Sequence, residues 1–200
     1  IDNSVEYLQP QFPDVKFIAL PENIGFSRAN NIAIKQAKGK YTLILNPDTI
    51  LSTDTLLKMR EYMDTHPEVW IAGCKVLNPD MSFQVACRRG FPSPFVSFSK
   101  LYGLQALFPK SKLFGRYNQT YRSIDETYYV DAIMGAFMFC RTDKLQYLGG
   151  FDEDFFMYGD DLDLCYRVYK AGGKIAYYHE TTIVHYKGES TRRSSINAIK

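Results

Sequence analysis

The chain has 200 residues, 46% of them hydrophobic, and a formal charge of +2 at pH 7. That is enough apolar material for one sizeable core, while so small a charge, with Arg88, Arg89, Lys110, Lys112, Arg116, Arg192 and Arg193 dispersed, argues against nucleic acid as a partner. No run of about eighteen apolar residues offers a spanning helix, and Cys74, Cys87, Cys140 and Cys165, widely spaced with no CxxC pair, predict reduced, buried thiols and a cytoplasmic location.

In chain order, Ile1-Asp2-Asn3-Ser4 reads as the end of a buried strand and Val15–Leu20 as a short strand. Ser27 is a candidate cap for a helix running to about Lys38, stopped by Gly39. Tyr41–Leu45 has the length and composition of a buried strand, and a helix from Thr53 or Asp54 through Met63 ends at His66-Pro67, where His66 is a candidate cap. Val69–Val76 is strand-like, and Phe83–Cys87 is a candidate to pair with a neighbour. From Arg88 to Asp125 the pattern loosens: aromatics lie among prolines, serines and lysines without a clean helical stripe. A cover segment packed on the domain is the simpler reading; an interfacial segment in peripheral contact with a membrane is the sharper one. Tyr128–Met134 and Ala136–Cys140 return to strand character around Gly135, followed by helices at Thr142–Leu148 and Asp160–Ala171 and strands at Lys174–Tyr178 and Thr182–His185. The strand-helix alternation predicts an α/β fold with a mostly parallel central sheet flanked by helices, and no linker divides residues 1–200.

Two places concentrate chemistry. Asp160, Asp161 and Asp163 put three carboxylates within four positions, where an aromatic turn runs into a helix patterned by Leu162, Cys165, Tyr166 and Tyr169. Helix-start capping needs fewer acids than this; a third acid and an aromatic wall suit proton handling. Adjacent like charge and a partly dry setting should raise one carboxyl pKa, while Asp163 can pair with Arg167 four residues on. Upstream, the Tyr41–Leu45 run ends in Asn46-Pro47-Asp48-Thr49. That is good turn chemistry, but an acid beyond the carboxyl end of a strand can also hold a hard cation bridging phosphate oxygens.

Four segments occur in a telling order: Asn23-Ile24-Gly25-Phe26-Ser27-Arg28-Ala29-Asn30-Asn31, the strand ending Asn46-Pro47-Asp48-Thr49, Gly149 through Leu164, and Val184-His185-Tyr186-Lys187-Gly188-Glu189-Ser190. Over nearly the whole chain this resembles the inverting family 2 glycosyltransferases of the GT-A fold, in particular their rhamnosyltransferase-like branch. The resemblance implies one GT-A-like domain, N-terminally truncated by a strand-helix-strand start, with residues 1–87 as the remaining nucleotide-binding half and 88–200 as the acceptor and catalytic half. It implies a metal-dependent hexosyltransferase, a rhamnosyltransferase by analogy, using Mn²⁺ or Mg²⁺ to move a sugar from a dTDP- or UDP-linked donor to a glycan or lipid-linked hydroxyl in surface polysaccharide biosynthesis. By the same resemblance Asp161 is the general base, Asp160 and Gly135 bind acceptor, Asp2, Asn23, Arg28 and Asn46 bind nucleotide, and Asp48 and His185 hold the metal. Asn46 stands where many members carry Asp, which leaves Asp48 as the sole acid of that loop. A truncated start is expected to weaken nucleotide binding and favour a homo-oligomer through the exposed edge. The alternative is a degenerate, non-catalytic nucleotide-sugar binding module. A phosphohydrolase with a strand-end Asp-x-Asp-x-Thr loop is disfavoured, because Asn46 replaces its nucleophile.

Overall fold

The computed structural model describes residues 3–186 apart from 109 and 157. Helices α1 (Ser4–Leu8) and α2 (Phe26–Gln36) precede strands β1 (Tyr41–Leu45) and β2 (Thr49–Leu51), then α3 (Thr55–Thr65) and β3 (Val69–Leu77). A 3-10 turn at Val85–Cys87 leads into β4 (Arg88–Arg89), α4 (Pro94–Leu101) and α5 (Leu104–Leu107). There follow β5 (Tyr128–Tyr129), β6 (Ala132–Ile133), β7 (Phe137–Arg141), α6 (Thr142–Tyr147), α7 (Asp160–Lys170) and β8 (Lys174–His185).

The main sheet runs β1-β7-β3-β8-β2, with β5 also on β8, and β4 pairs with β6 in a small second sheet. The α/β expectation holds, but the sheet is mixed rather than mostly parallel. Strands β3 and β8 are parallel, while β1–β7, β3–β7, β2–β8 and β5–β8 are antiparallel. Helical crossovers do send β1, β3 and β8 in one direction. Sequence alternation, however, says nothing about a later strand inserting between two earlier ones, and β7 does so between β1 and β3.

The sheet is covered on both faces. Val69, Ile71, Ala72, Cys74 and Val76 of β3 are all buried, as a central strand between two layers requires. Successive strand residues face opposite sides: Tyr178 stacks on Tyr62 of α3, whereas Tyr177 meets Phe83 and Tyr128 on the other face. Arg88 lies in that second aromatic cluster, its guanidinium over the rings of Phe83, Tyr128 and Tyr177 and donating to the carbonyls of Ser123 and Arg122.

Several local expectations are corrected. Ser4 opens α1 rather than closing a strand, and residues 15–20 form no strand. Their apolar side chains are partly or fully exposed. Ser27 lies inside α2; Gly25, at φ +87°, takes the cap position. Phe83 makes an isolated bridge to Leu77, and the rest of that run becomes the 3-10 turn. Residues 128–134 break into β5 and β6, which join different sheets. The two terminal strands are one, β8, whose register against β3 jumps from Cys74–Tyr178 to Lys75–Thr182 and accommodates His179, Glu180 and Thr181 as a bulge. The buried face of α7 is Leu164, Cys165 and Val168; Tyr166 and Tyr169 are exposed. His66 does cap α3, its Nδ1 lying 2.8 Å from the Tyr62 carbonyl. All four cysteines are free and buried.

Candidate active site

The carboxyl end of β1 and the start of β7 meet because the two pair with Leu45 opposite Phe137. One step further, the Asn46 N–H donates to the Ala136 carbonyl at 3.0 Å. Gly135 therefore sits beside the Asn46–Asp48 loop, and its own N–H donates to Oδ2 of Asp161 at 3.0 Å. A Cβ at Gly135 would meet Asp161 Cβ at 3.6 Å and Phe26 Cζ at 3.8 Å, ordinary contact distances. Neither crowding nor a positive φ therefore demands glycine here; its missing side chain leaves open space beside Asp161 and Phe26.

Asp161 is held from a second side. Arg89 Nη2 donates to the same Oδ2 at 2.5 Å and to the Ile133 carbonyl at 2.9 Å. The side chains of this ion pair are 12% and 13% exposed. Burial works against the charge on Arg89, but the attraction of Asp161 and their hydrogen bond outweigh it and raise its pKa. Both donors go to Oδ2, so the two Asp161 oxygens are unequal: Oδ1 accepts no hydrogen bond from the described residues. Asp160 is buried, and desolvation, reinforced by the charge of Asp161, raises its carboxyl above the usual aspartate range. Asp163 pairs with Arg167 at 2.7 Å as its spacing predicts.

The turn that delivers this helix is tightly specified. Tyr158 at φ +67° and Gly159 at φ +88° are both left-handed just before Asp160, a conformation unfavourable for tyrosine. The Phe156 carbonyl accepts from the Phe26 N–H at 3.3 Å, and a Cβ on Gly25 would stand 3.0 Å from that oxygen. Buried Asn31 clamps the preceding loop: its Nδ2 donates to the Phe151 carbonyl, and its Oδ1 accepts from the Phe151 N–H, each at 2.8 Å.

Asp48 and His185 come together through strand register. Thr49 is opposite His185 in the β2–β8 pair, and the Tyr186 N–H donates to the Asp48 carbonyl at 2.9 Å. His185 Nε2 lies 3.3 Å from Asp48 Oδ1, with both side chains largely buried. Among the described residues, Asp48 Oδ1 is itself buried without a hydrogen-bond partner. On the other side of the ring, Nδ1 is 2.8 Å from Gln84 Oε1, while Gln84 Nε2 donates to Asn78 Oδ1 at 2.7 Å. An amide oxygen only accepts, so Nδ1 carries hydrogen and Nε2 is the atom turned to Asp48. A carboxylate oxygen lacking a donor, beside an imidazole nitrogen oriented from behind, fits a divalent cation. Among the described residues no three His, Cys, Asp or Glu side chains converge, so such an ion would take its other ligands from elsewhere.

The remaining predicted residues are more dispersed. Asn23 is exposed and accepts from the Gly25 N–H at 3.0 Å, shaping the turn into α2. Arg28 is exposed and lies 3.8 Å from Glu153. Asn46 is half-buried, its carbonyl accepting from Thr49 Oγ1 at 2.7 Å. Asp2, Met157 and the segment beyond residue 186 are outside the described residues. Sequence reasoning missed Arg89, Gln84 and Asn31. The only signal for Arg89 was two adjacent arginines directly after a strand-like run; wherever a strand includes both, alternation sends one to each face.

The family described as "Glycosyltransferase like family 2" matches residues 3–199. Rhamnosyltransferase WbbL of Escherichia coli (strain K12) is 30% identical over 177 residues, covering 84% of this chain and 63% of its own length. The N-acetylglucosaminyl-diphospho-decaprenol L-rhamnosyltransferase of Mycobacterium tuberculosis (strain ATCC 25618 / H37Rv) is 24% identical over 203 residues, with 96% and 65% covered. The chain thus spans less than two thirds of either relative. Among solved structures, S. aureus TarS 1-349 superposes with TM-score 0.61 at 15% identity, over 96% of this chain and 50% of that one. GalNAc-T7 with UDP, GalNAc and Mn²⁺ gives 0.61 at 14% identity, over 90% and 33%. These likenesses establish the shared α/β fold.

Proposed function

Because the chain belongs to glycosyltransferase-like family 2, with the GT-A fold, we propose that it is an inverting, metal-dependent glycosyltransferase of polysaccharide assembly. It moves a sugar, rhamnose by the names of its relatives, from a dTDP- or UDP-linked donor to a glycan or lipid-linked hydroxyl. The observation that carries this reading is the asymmetry of Asp161. With Oδ2 held by Arg89 and the Gly135 N–H, Oδ1 remains to accept a proton.

In an inverting displacement the acceptor hydroxyl attacks the sugar carbon directly and gives up its proton as the bond forms. Asp161 Oδ1 takes that proton, and Gly135 leaves room for the acceptor beside it. Asp160, whose carboxyl favours its neutral form more than an ordinary aspartate does, orients the acceptor by hydrogen bonding. Asp48 and His185, whose Oδ1 and Nε2 lie side by side with Gln84 orienting the imidazole from behind, would hold Mn²⁺ or Mg²⁺. When bound, that ion offsets the charge gathering on the departing diphosphate. Asn46 bonds ribose hydroxyls, Asn23 shapes the base-side turn, and Arg28 exchanges Glu153 for the diphosphate; Asp2 is assigned to the base. Residues 1–87 thus serve the nucleotide, and 88–200 serve the acceptor and catalysis, with His185 contributing to the metal. Four buried free thiols accord with work in the cytoplasm, and β1, which stands at one end of the sheet order with β7 as its neighbour, offers an edge for a homo-oligomer.

The test is Asp161→Asn, which should lower transfer by on the order of 10²-fold or more with donor affinity nearly unchanged. Undiminished transfer removes Asp161 as the base. Donor binding without transfer or donor hydrolysis by the wild type would instead support a non-catalytic binding module.

A further inference from the structure

Between Asp80 and Asp125 the chain has no Asp or Glu but seven cations (Arg88, Arg89, Lys100, Lys110, Lys112, Arg116 and Arg122), although the whole protein carries only +2. Arg88 and Arg89 are consumed internally, whereas Lys110, Lys112 and Arg116 are exposed. The same segment carries an apolar face. Helix α4 buries Val96 and Ser99 and turns Phe95, Phe98 and Leu101 outward at helical spacing, with Tyr102 just beyond its end. Leu101 is 81% exposed, and Leu107 of α5 is 70% exposed. Ring contacts between Phe98 and Tyr102 (4.4 Å), Phe95 and Phe114 (6.1 Å), and Phe108 and Phe114 (5.4 Å) knit α4, α5 and the following turn into one patch. Continuous exposed apolar surface of this kind marks an interaction site.

We propose that α4 and α5 dock flat on an anionic lipid bilayer, with rings and leucines in the headgroup–acyl boundary and Lys110, Lys112 and Arg116 on lipid phosphates. The chemistry favours a bilayer over a protein partner. Helices with exposed Phe and Leu beside cations lie in the interface plane, and no described helix is long and apolar enough to cross it. A second copy docked two-fold on the same patch would set these cations against themselves. The patch also adjoins the acid-bearing helix: the Gly90 N–H donates to the Tyr117 carbonyl at 2.7 Å, and Phe91 packs on exposed Tyr166 and Tyr169 of α7. Docking would therefore bring Asp161 to the membrane, where a lipid-linked hydroxyl resides. That consequence rests on the proposed transfer; the docking itself does not.

Flotation with phosphatidylglycerol–phosphatidylcholine vesicles, against phosphatidylcholine alone, reads the docking without any transfer assay. The wild type should float with anionic vesicles only, and salt should release it. Lys112→Gln with Arg116→Gln should weaken partitioning by about 25-fold, each cation contributing about fivefold. Leu101→Glu should weaken it at least roughly tenfold, while circular dichroism and transfer to a water-soluble acceptor stay at wild-type values. Absence of anionic-vesicle binding, or binding that these substitutions leave unchanged, overturns the proposal. So does a dimer in ultracentrifugation that Leu101→Glu dissolves while vesicle binding persists.

Discussion

Replacing Arg89 with methionine should lower stability and turnover together while leaving donor binding almost untouched. Methionine keeps much of the aliphatic stem, so the main loss is the counter-charge of Asp161 and the bond to Ile133. Removing one partner of a buried ion pair costs about 3–5 kcal/mol. Both side chains retain slight exposure, 12% and 13%, which places this pair at the lower end, about 3 kcal/mol. For a chain of this size that is about 6–12 °C in Tm. Turnover falls for a different reason. Among the described residues Asp161 would keep only the Gly135 N–H as an anchor, and a displacement near 1 Å costs roughly 10²-fold in rate. Initial rates at saturating donor, with a thermal melt of the same preparation, measure both effects; donor KM should move by less than about twofold. Arg89→Lys restores charge without the fork that reaches Asp161 and Ile133 together, so it should recover stability more than rate. In a double-mutant cycle, adding Arg89→Met to Asp161→Asn should slow transfer little further. Full turnover in Arg89→Met, or another hundredfold loss in the double variant, would refute the idea that Arg89 acts by positioning Asp161.

Asp48→Ala should weaken Mn²⁺-dependent binding of UDP or dTDP by at least roughly tenfold in calorimetry; unchanged metal-dependent affinity would remove Asp48 from the site. Asp160→Asn should be more stable than wild type near neutral pH. The Asp160 pKa is raised in the fold, so its favourable contribution is complete below the unfolded value of about 3.9 and is lost as pH rises through the folded value. The melting difference should accordingly open between acid and neutral pH, and a difference constant over that range contradicts the burial argument. Gly150→Ala should destabilise by about 2–4 kcal/mol in urea titration, because Gly150 has φ +77° and its Cβ would stand 2.2 Å from Asn31 Oδ1. A neutral result would mean that the Asn31 clamp on the Phe151 loop yields freely.

Local chemistry was legible wherever a short stretch of chain determines it. The β1 strand ends where its apolar run meets Asn46-Pro47-Asp48, and the three carboxylates of α7 follow directly from their spacing. Asp163 finds Arg167 four residues on because helical geometry alone puts them together. The order of motifs also carried the family, since sequence order survives however the strands pair. Pairing is non-local, and there the sequence was silent. Nothing near Tyr41 or Val69 announces that β7, some 70 to 100 residues later, will lie between them. Only that insertion brings Gly135 beside Asn46 and Asp161. Arg88 and Arg89 are chemically identical neighbours, yet strand alternation buries one among aromatic rings and aims the other at Asp161. Likewise Gln84, Asp48 and His185 lie far apart along the chain: β2–β8 register brings Asp48 to His185, and Gln84, bonded to Val76 of β3, reaches the ring because β3 pairs with β8. The sequence by itself determined which groups the protein has for acid–base and cation chemistry. The tertiary structure decided which of them touch, because a hydrogen bond or ion pair depends on distances of a few ångströms that only the packed sheet sets.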